Sequence, residues 1–295
     1  MLRLFILAVF FFLSYDTFAQ VNVPTINDFG LKGKVQKCIQ QSEYGTETYE
    51  FDQKGRLLRL SSRLNQNQKE EIRFIYKNDT LDQKWIEVYL DNQLKKDMSF
   101  VFHFNYKENT VEEWTIRLDE ESVTKATYQY DDKSRLLYRL LSDGLEEQRY
   151  DYQYIEAADS SVTGIYKNNE RFERILNMKD KSGNTVKSIH EEWSQGILLR
   201  KNSFEKNEKG QITKEELIDF GIQNDTISNT LNKKTTYSYD GNGNISDVVI
   251  RNDRISKRQN FIYQYDNHTP SNWVKKIELP SNKYINRIIT YYTEQ

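Results

Sequence analysis

Tyr237-Ser238-Tyr239-Asp240-Gly241-Asn242-Gly243-Asn244-Ile245 sets an alternating aromatic pair directly before an Asp- and Gly-bearing turn. Residues i and i+2 of a strand share a face, so Tyr237 and Tyr239 point one way and the polar Ser238 points the other. Asp240 can accept hydrogen bonds from backbone N–H groups of a turn, and Gly243 can take a positive φ without Cβ strain. The stretch therefore spells the end of one strand, a turn and the start of the next.

The same order recurs along the chain. Clear copies are Tyr49-Glu50-Phe51-Asp52 with Gly55, Tyr128-Gln129-Tyr130-Asp131, and Tyr263-Gln264-Tyr265-Asp266. Weaker ones end at Tyr76, Tyr106 and Tyr154 (the last after Tyr152), while Asp180 with Gly183 and Asn207 with Gly210 keep the turn and lose most aromatics. Successive copies lie 24 to 33 residues apart, and it is this recurring period, more than the aromatic pairs themselves, that carries the inference. A second turn signal falls midway through most periods, as in Asp91-Asn92, Asp143-Gly144, Asn168-Asn169, Gln195-Gly196 and Ser281-Asn282. Turns every 12 to 15 residues without a helical period between them describe hairpins. The expected fold is all-β: one elongated antiparallel meander of about ten degenerate hairpin repeats, twisted or curled with its aromatic face inward. Its edge strands would lie near residues 34–44 and 284–292, open to association. The widest gap, between Asn207 and Asp240, predicts an enlarged loop near residues 217–234.

Tyr-x-Tyr-Asp-x-x-Gly, followed by Arg56-Leu57, by Asn244-Ile245 or by Asn272-Trp273, resembles the tyrosine-aspartate repeats of the Rhs family. Leu31-Lys32-Gly33-Lys34-Val35 and the Ala19-Gln20 junction resemble small exported repeat proteins of the Bacteroidetes. The resemblance implies a β-hairpin strip, and carbohydrate as a ligand. The chain lacks the cleavage motif and downstream effector of the large toxin-carrying members, so toxin delivery is not implied.

Residues 1–19 read as a secretory signal peptide: Arg3 supplies an early positive charge, Leu4 to Leu13 is apolar, and Thr17-Phe18-Ala19 ends on a small residue. The expectation is cleavage after Ala19, a lead-in over 20–33, and a single repeat domain over 34–295, periplasmic or secreted, with no membrane span in the mature chain. Net charge is −2, from 42 basic and 44 acidic residues, which gives no electrostatic case for nucleic acid. Hydrophobic residues make up 37% of the chain, with 20 Tyr and 3 Pro, so the apolar surface is largely aromatic and suits strands. Cys38 is the only cysteine and excludes an intramolecular disulfide.

No motif carries catalytic chemistry. His103, His190 and His268 are far apart in sequence and lack metal-ligand spacing. Asp240 to Asn244 superficially resembles a calcium loop, but Ile245 and Arg251 stand where glycine and a carboxylate are needed. Neither metal nor cofactor is expected, and the chain reads as non-enzymatic. The tyrosine ladder is foremost structural. As a binding surface it would comprise Tyr49, Tyr128, Tyr130, Tyr152, Tyr154, Tyr237, Tyr239, Tyr263, Tyr265 and Trp273, with Trp85, Trp114 and Trp193 as off-repeat contributors. Asp52, Gly55, Asp131, Asp180, Gly183, Asn207, Gly210, Asp240, Gly243 and Asp266 are expected to build turns. The functional expectation is a binding or scaffold module at the cell envelope, meeting a glycan or an envelope protein. The alternatives are an interaction protein working through its sheet edges, or a glycan-active enzyme.

Overall fold

A computed structural model describes residues 23–119, 123–223 and 226–293. The expected signal peptide and its cleavage point lie outside the described residues. A 3-10 turn, Ile26–Phe29, precedes β1 (Val35–Ser42), β2 (Gly45–Phe51), β3 (Leu57–Arg63), β4 (Gln68–Lys77), β5 (Thr80–Leu90) and the two-residue β6 (Gln93–Leu94). A second 3-10 turn, Lys96–Met98, leads to β7 (Phe100–Lys107), β8 (Thr110–Arg117), β9 (Val123–Tyr130), β10 (Leu136–Ser142), β11 (Glu147–Glu156), β12 (Ser160–Lys167) and β13 (Glu170–Lys179). The chain continues through β14 (Thr185–Ser194), β15 (Ile197–Lys206), β16 (Ile212–Gln223), β17 (Thr226–Tyr239), β18 (Ile245–Asn252), β19 (Ser256–Tyr265), β20 (Trp273–Leu279) and β21 (Lys283–Tyr291).

Each strand pairs antiparallel with the next, except that β5 pairs with β7 past the short β6. The deciding pairing joins the ends: β1 runs antiparallel to β21, from Val35↔Tyr291 to Gln41↔Asn286. Twenty strands thus form a closed up-and-down barrel. The expected open strip is corrected here, and so are its free edges, because the segments near 34–44 and 284–292 are each other's partners. Closing a loop of some 250 residues costs about 5 kcal/mol of chain entropy, a small charge against removing two unpaired edges. The expected enlarged loop is instead a long hairpin, with β16 and β17 paired from Lys214↔Thr236 to Gln223↔Thr226.

The registers also set the barrel's dimensions. A line carried at right angles across all twenty pairings returns to β1 about 22 residues from its start, which corresponds to a strand tilt of roughly 40° and, for a round section, a backbone radius of roughly 18 Å. Side chains cannot fill so wide an interior. Among the described residues, side-chain contacts join strands no more than two places apart around the wall, or the wall and the N-terminal segment.

Burial is concentrated in one sector. Val23, Ile26, Phe29 and Leu31 lie against the inner wall, and a continuous apolar cluster runs from there through Val35, Cys38, Tyr49, Phe51, Leu57, Leu60, Ile72 and Phe74 to Phe104 and Val111. Phe29 stacks 4.5 Å from Tyr49 and 5.6 Å from Phe51, ring centre to ring centre.

Candidate functional site

In an up-and-down barrel every second strand ends at the same rim, so a motif repeated once per hairpin becomes a ring. Tyr49 and Phe51, Phe74 and Tyr76, Phe104 and Tyr106, Tyr128 and Tyr130, Tyr152 and Tyr154, Tyr237 and Tyr239, and Tyr263 and Tyr265 all close strands that end at one rim, on the face that the N-terminal segment covers. Their hydroxyls are largely committed to the wall. Those of Tyr76, Tyr154, Tyr239 and Tyr263 donate to the carbonyls of Leu57, Leu136, Ile212 and Ile245 at 2.6–2.9 Å. Each acceptor lies at or near the start of the strand after the previous rim turn. Those of Tyr49, Tyr128 and Tyr237 donate to Glu47, Glu113 and Glu215. Burial raises the pKa of Tyr106 and of Tyr130 to about 12, so these phenols stay protonated. The tyrosines are spread around the rim and converge on no cleft, and Trp273 is covered by Arg287, whose guanidinium lies 3.6 Å from its ring centre.

The rim turns share one geometry. The carbonyl of Asp52 accepts from Gly55 N–H at 2.9 Å while its carboxylate accepts from the N–H groups of Lys54 and Arg56. Asp131, Asp180, Asn207 and Asp240 repeat this with the residues two and four positions on. Gly55, Gly183, Gly210 and Gly243 sit at φ of 75° to 87°, with Ser134 in the equivalent place at 62°. Asp266 caps a longer loop, through Asn272 N–H at 2.9 Å. At Asp240 the ligand-like oxygens are thus turned onto the chain's own backbone.

The two faces of the wall carry charge differently. Outside, cross-strand pairs form a ladder: Lys37 with Glu50, Arg59 and Lys69 with Glu71, Arg73 with Glu87, Lys107 and Lys125 with Glu112, Arg174 with Glu191, Lys187 and Lys214 with Glu205, and Arg258 with Asp247. Inside, Arg200 bridges Glu192 and Asp219, but several cations rest on rings: Lys84 over Phe102, Arg139 over Tyr150 and Lys276 over Phe261. Burial lowers the pKa of Lys84 and Lys276 and raises that of Glu70 and Glu173, the last helped by Glu192 directly across from it. Their phase gives them away, since Glu70, Ile72 and Phe74 alternate on the aromatic face, whereas Lys69, Glu71 and Arg73 alternate on the other.

His103, His190 and His268 lie on β7, on β14 and in the loop after β19, and among the described residues no three His, Cys, Asp or Glu side chains gather as metal ligands. Burial pushes the Cys38 thiol up to about 11 and leaves it unreactive at neutral pH. Two surface clefts, of about 260 and 420 Å³, lie at the opposite rim beside Tyr44 and Lys283, away from the tyrosine ring.

No family model and no curated protein matches the chain. Among solved structures, it is similar to a porin-like protein from Bacteroides uniformis, at 12% identity and a TM-score of 0.38, over 90% of this chain and 98% of that one. A porin-like protein from Bacteroides vulgatus is similar at 10% identity and a TM-score of 0.35, over 88% and 99%. The resemblance to Rhs repeats is withdrawn: no family model supports it, and a strip with free ends does not describe strands that close on themselves. With it falls the reading of the chain as a repeat scaffold that binds glycans or associates through its edges.

Proposed function

We propose that the chain is a hollow, water-filled conduit of the channel type, whose lumen admits hydrophilic solutes. Closure of twenty strands through β1 and β21 carries this reading, because a wall of that radius encloses water unless something fills it. Support comes from the inner face, where Lys84, Arg139 and Lys276 make no ion pair with any described residue and lie over aromatic rings.

The outer ladder bears on where such a conduit stands. A Lys or Arg on the lipid face of a membrane barrel costs about 2–4 kcal/mol at mid-bilayer, and this wall carries ion pairs where an apolar band would have to lie. No helix among the described residues is long and apolar enough to cross a membrane, a statement that leaves strands aside. We therefore place the wall in water within the cell envelope or outside the cell.

Single cysteines test the lumen. In a Cys38→Ser background, Asn202→Cys on the inner wall and Ser203→Cys on the outer wall are expected to react with a small charged thiosulfonate at rates within about tenfold of each other. A bulky polyethylene-glycol maleimide should favour Ser203→Cys. An inner cysteine that excludes the small reagent would show a filled interior and end the proposal. Detergent phase separation should leave the protein in the aqueous phase; partition into detergent with stepwise conductance in planar bilayers would overturn its placement in water.

A further inference from the structure

The pairing of β1 with β21 joins residues about 250 apart, and the segment just before β1 touches both sides of that seam. On the near side, Ile26 N–H donates to Gly55 O at 2.9 Å, Leu57 N–H donates to Pro24 O at 2.8 Å, and Thr25 bridges Arg56. On the far side, the Asn272 side chain reads the backbone of Lys32 in both directions, accepting from its N–H and donating to its carbonyl, each at 2.8 Å. Asn272 is 2% exposed, and its Nδ2 also donates to the Tyr291 hydroxyl.

Arg287 on β21 adds a third fastening. Its Nε donates to Gln40 Oε1 on β1 at 3.1 Å, its Nη2 donates to Phe29 O at 2.9 Å, and Trp273 supports the guanidinium from below. Leu31, 1% exposed, is the apolar pin of the segment. Lys32 Nζ reaches Asn242 O, which extends the span to the turn between β17 and β18. Most of these bonds tie residues 24–32 to the turn between β2 and β3 or to the last strands.

From this geometry we infer that residues 23–33 form a clasp that holds the barrel shut, with Asn272 in the loop before β20 and Arg287 on β21 as its positioning residues. A strand ladder alone treats β1–β21 like any other pairing. The clasp makes it different: it ties the two chain ends by contacts independent of the ladder, and it hides the edges that an open wall would present. The device belongs to closure, so it stands whether or not solutes use the lumen.

Hydrogen exchange on the full chain tests it. In the double variant Asn272→Ala/Arg287→Ala, the amides of β1 and β21 should exchange at least tenfold faster, while those of β11 to β16 keep their protection. Tyr154→Phe, which removes a rim bond to Leu136 O far from the seam, should leave β1 and β21 as in the wild type. Should the double variant fail to fold, Asn272→Asp decides, since it keeps the acceptor for Lys32 N–H and loses the donor to Lys32 O. It should loosen β1 and β21 alone. Unchanged protection there, or an equal loss around the whole wall, would overturn the clasp.

Discussion

The wall from β1 to β8 and the wall from β12 to β18 share pairing and turn chemistry, yet they bury very different amounts of apolar surface. The first carries Val35, Cys38, Tyr49, Phe51, Leu57, Leu60, Ile72, Phe74, Leu81, Val101, Phe104 and Val111 as buried side chains; the second carries Ile165 and Ile175. What differs is the second layer. Beneath the N-terminal segment the inner wall becomes the floor of a small core, and elsewhere it stays a single sheet wetted on both sides. Strand pairing therefore makes the barrel, while side-chain burial anchors only one sector of it.

The largest expected contrast comes from equal truncations in the two sectors. Phe51→Ala removes a ring that is 1% exposed and stacked on Phe29, and should cost about 3–4 kcal/mol of unfolding free energy. Phe204→Ala, on the half-buried inner face of β15, should cost about 1 kcal/mol. Urea unfolding of both variants gives the comparison, and similar losses would mean that the far wall has a covering layer too. Next come the turns, where the sectors should agree. Asp52→Ala and Asp240→Ala each strip two backbone N–H groups of their acceptor and should cost about 1–2 kcal/mol apiece. A markedly larger loss at Asp52 would mean that the clasp, through Gly55, leans on its turn. Smaller again, Tyr76→Phe and Tyr239→Phe each remove a hydroxyl from a strand-start carbonyl and should cost about 1 kcal/mol in either sector, read from the same unfolding curves.

How much of this was legible follows from the range of each signal. The strand-turn period could be read because Tyr237, Tyr239, Asp240 and Gly243 meet their partners within one hairpin, and local chemistry fixes them. Closure could not, because Cys38↔Ile289 and Gln40↔Arg287 are set by a register accumulated over all twenty strands, and no local motif announces it. The widest repeat gap looked like a loop because Gly221 and several polar residues suggested one, whereas the cross-strand pairs Asp219↔Leu231 and Gly221↔Ser228 carry the sheet through it. For the candidate site, the tyrosines were found and their arrangement was not. Once the chain curls into a cylinder, a ladder of aromatics becomes a ring whose hydroxyls are spent on the wall. The inner charges were hidden for a related reason, since only the phase of Lys84 or Glu173 relative to the aromatics separates them from their paired neighbours outside.

Acid should separate the two faces of the wall by sign, with the smallest effect. Glu112, on the outer face of β8, is held by Lys125 at 2.8 Å and Lys107 at 3.2 Å, and these ammonium groups bring its pKa down to about 2 from an ordinary 4.5. A carboxylate whose folded pKa is depressed contributes stability that is present above its unfolded value and lost as pH falls through the folded one. Glu173, on the inner face of β13, is shifted the other way, by burial and by Glu192 opposite. A raised carboxyl favours the fold most when protonated, below its unfolded pKa, and loses that contribution as pH rises through its folded pKa. Melting temperatures followed from pH 7 to pH 2 should show Glu112→Gln less stable than the wild type at neutral pH, with the gap closing in acid. Glu173→Gln should start more stable, and its advantage should also vanish in acid. Opposite signs at pH 7 are the test: if both variants lose stability there, the inner carboxylate has a cationic partner after all, and the inner face pairs its charges as the outer one does.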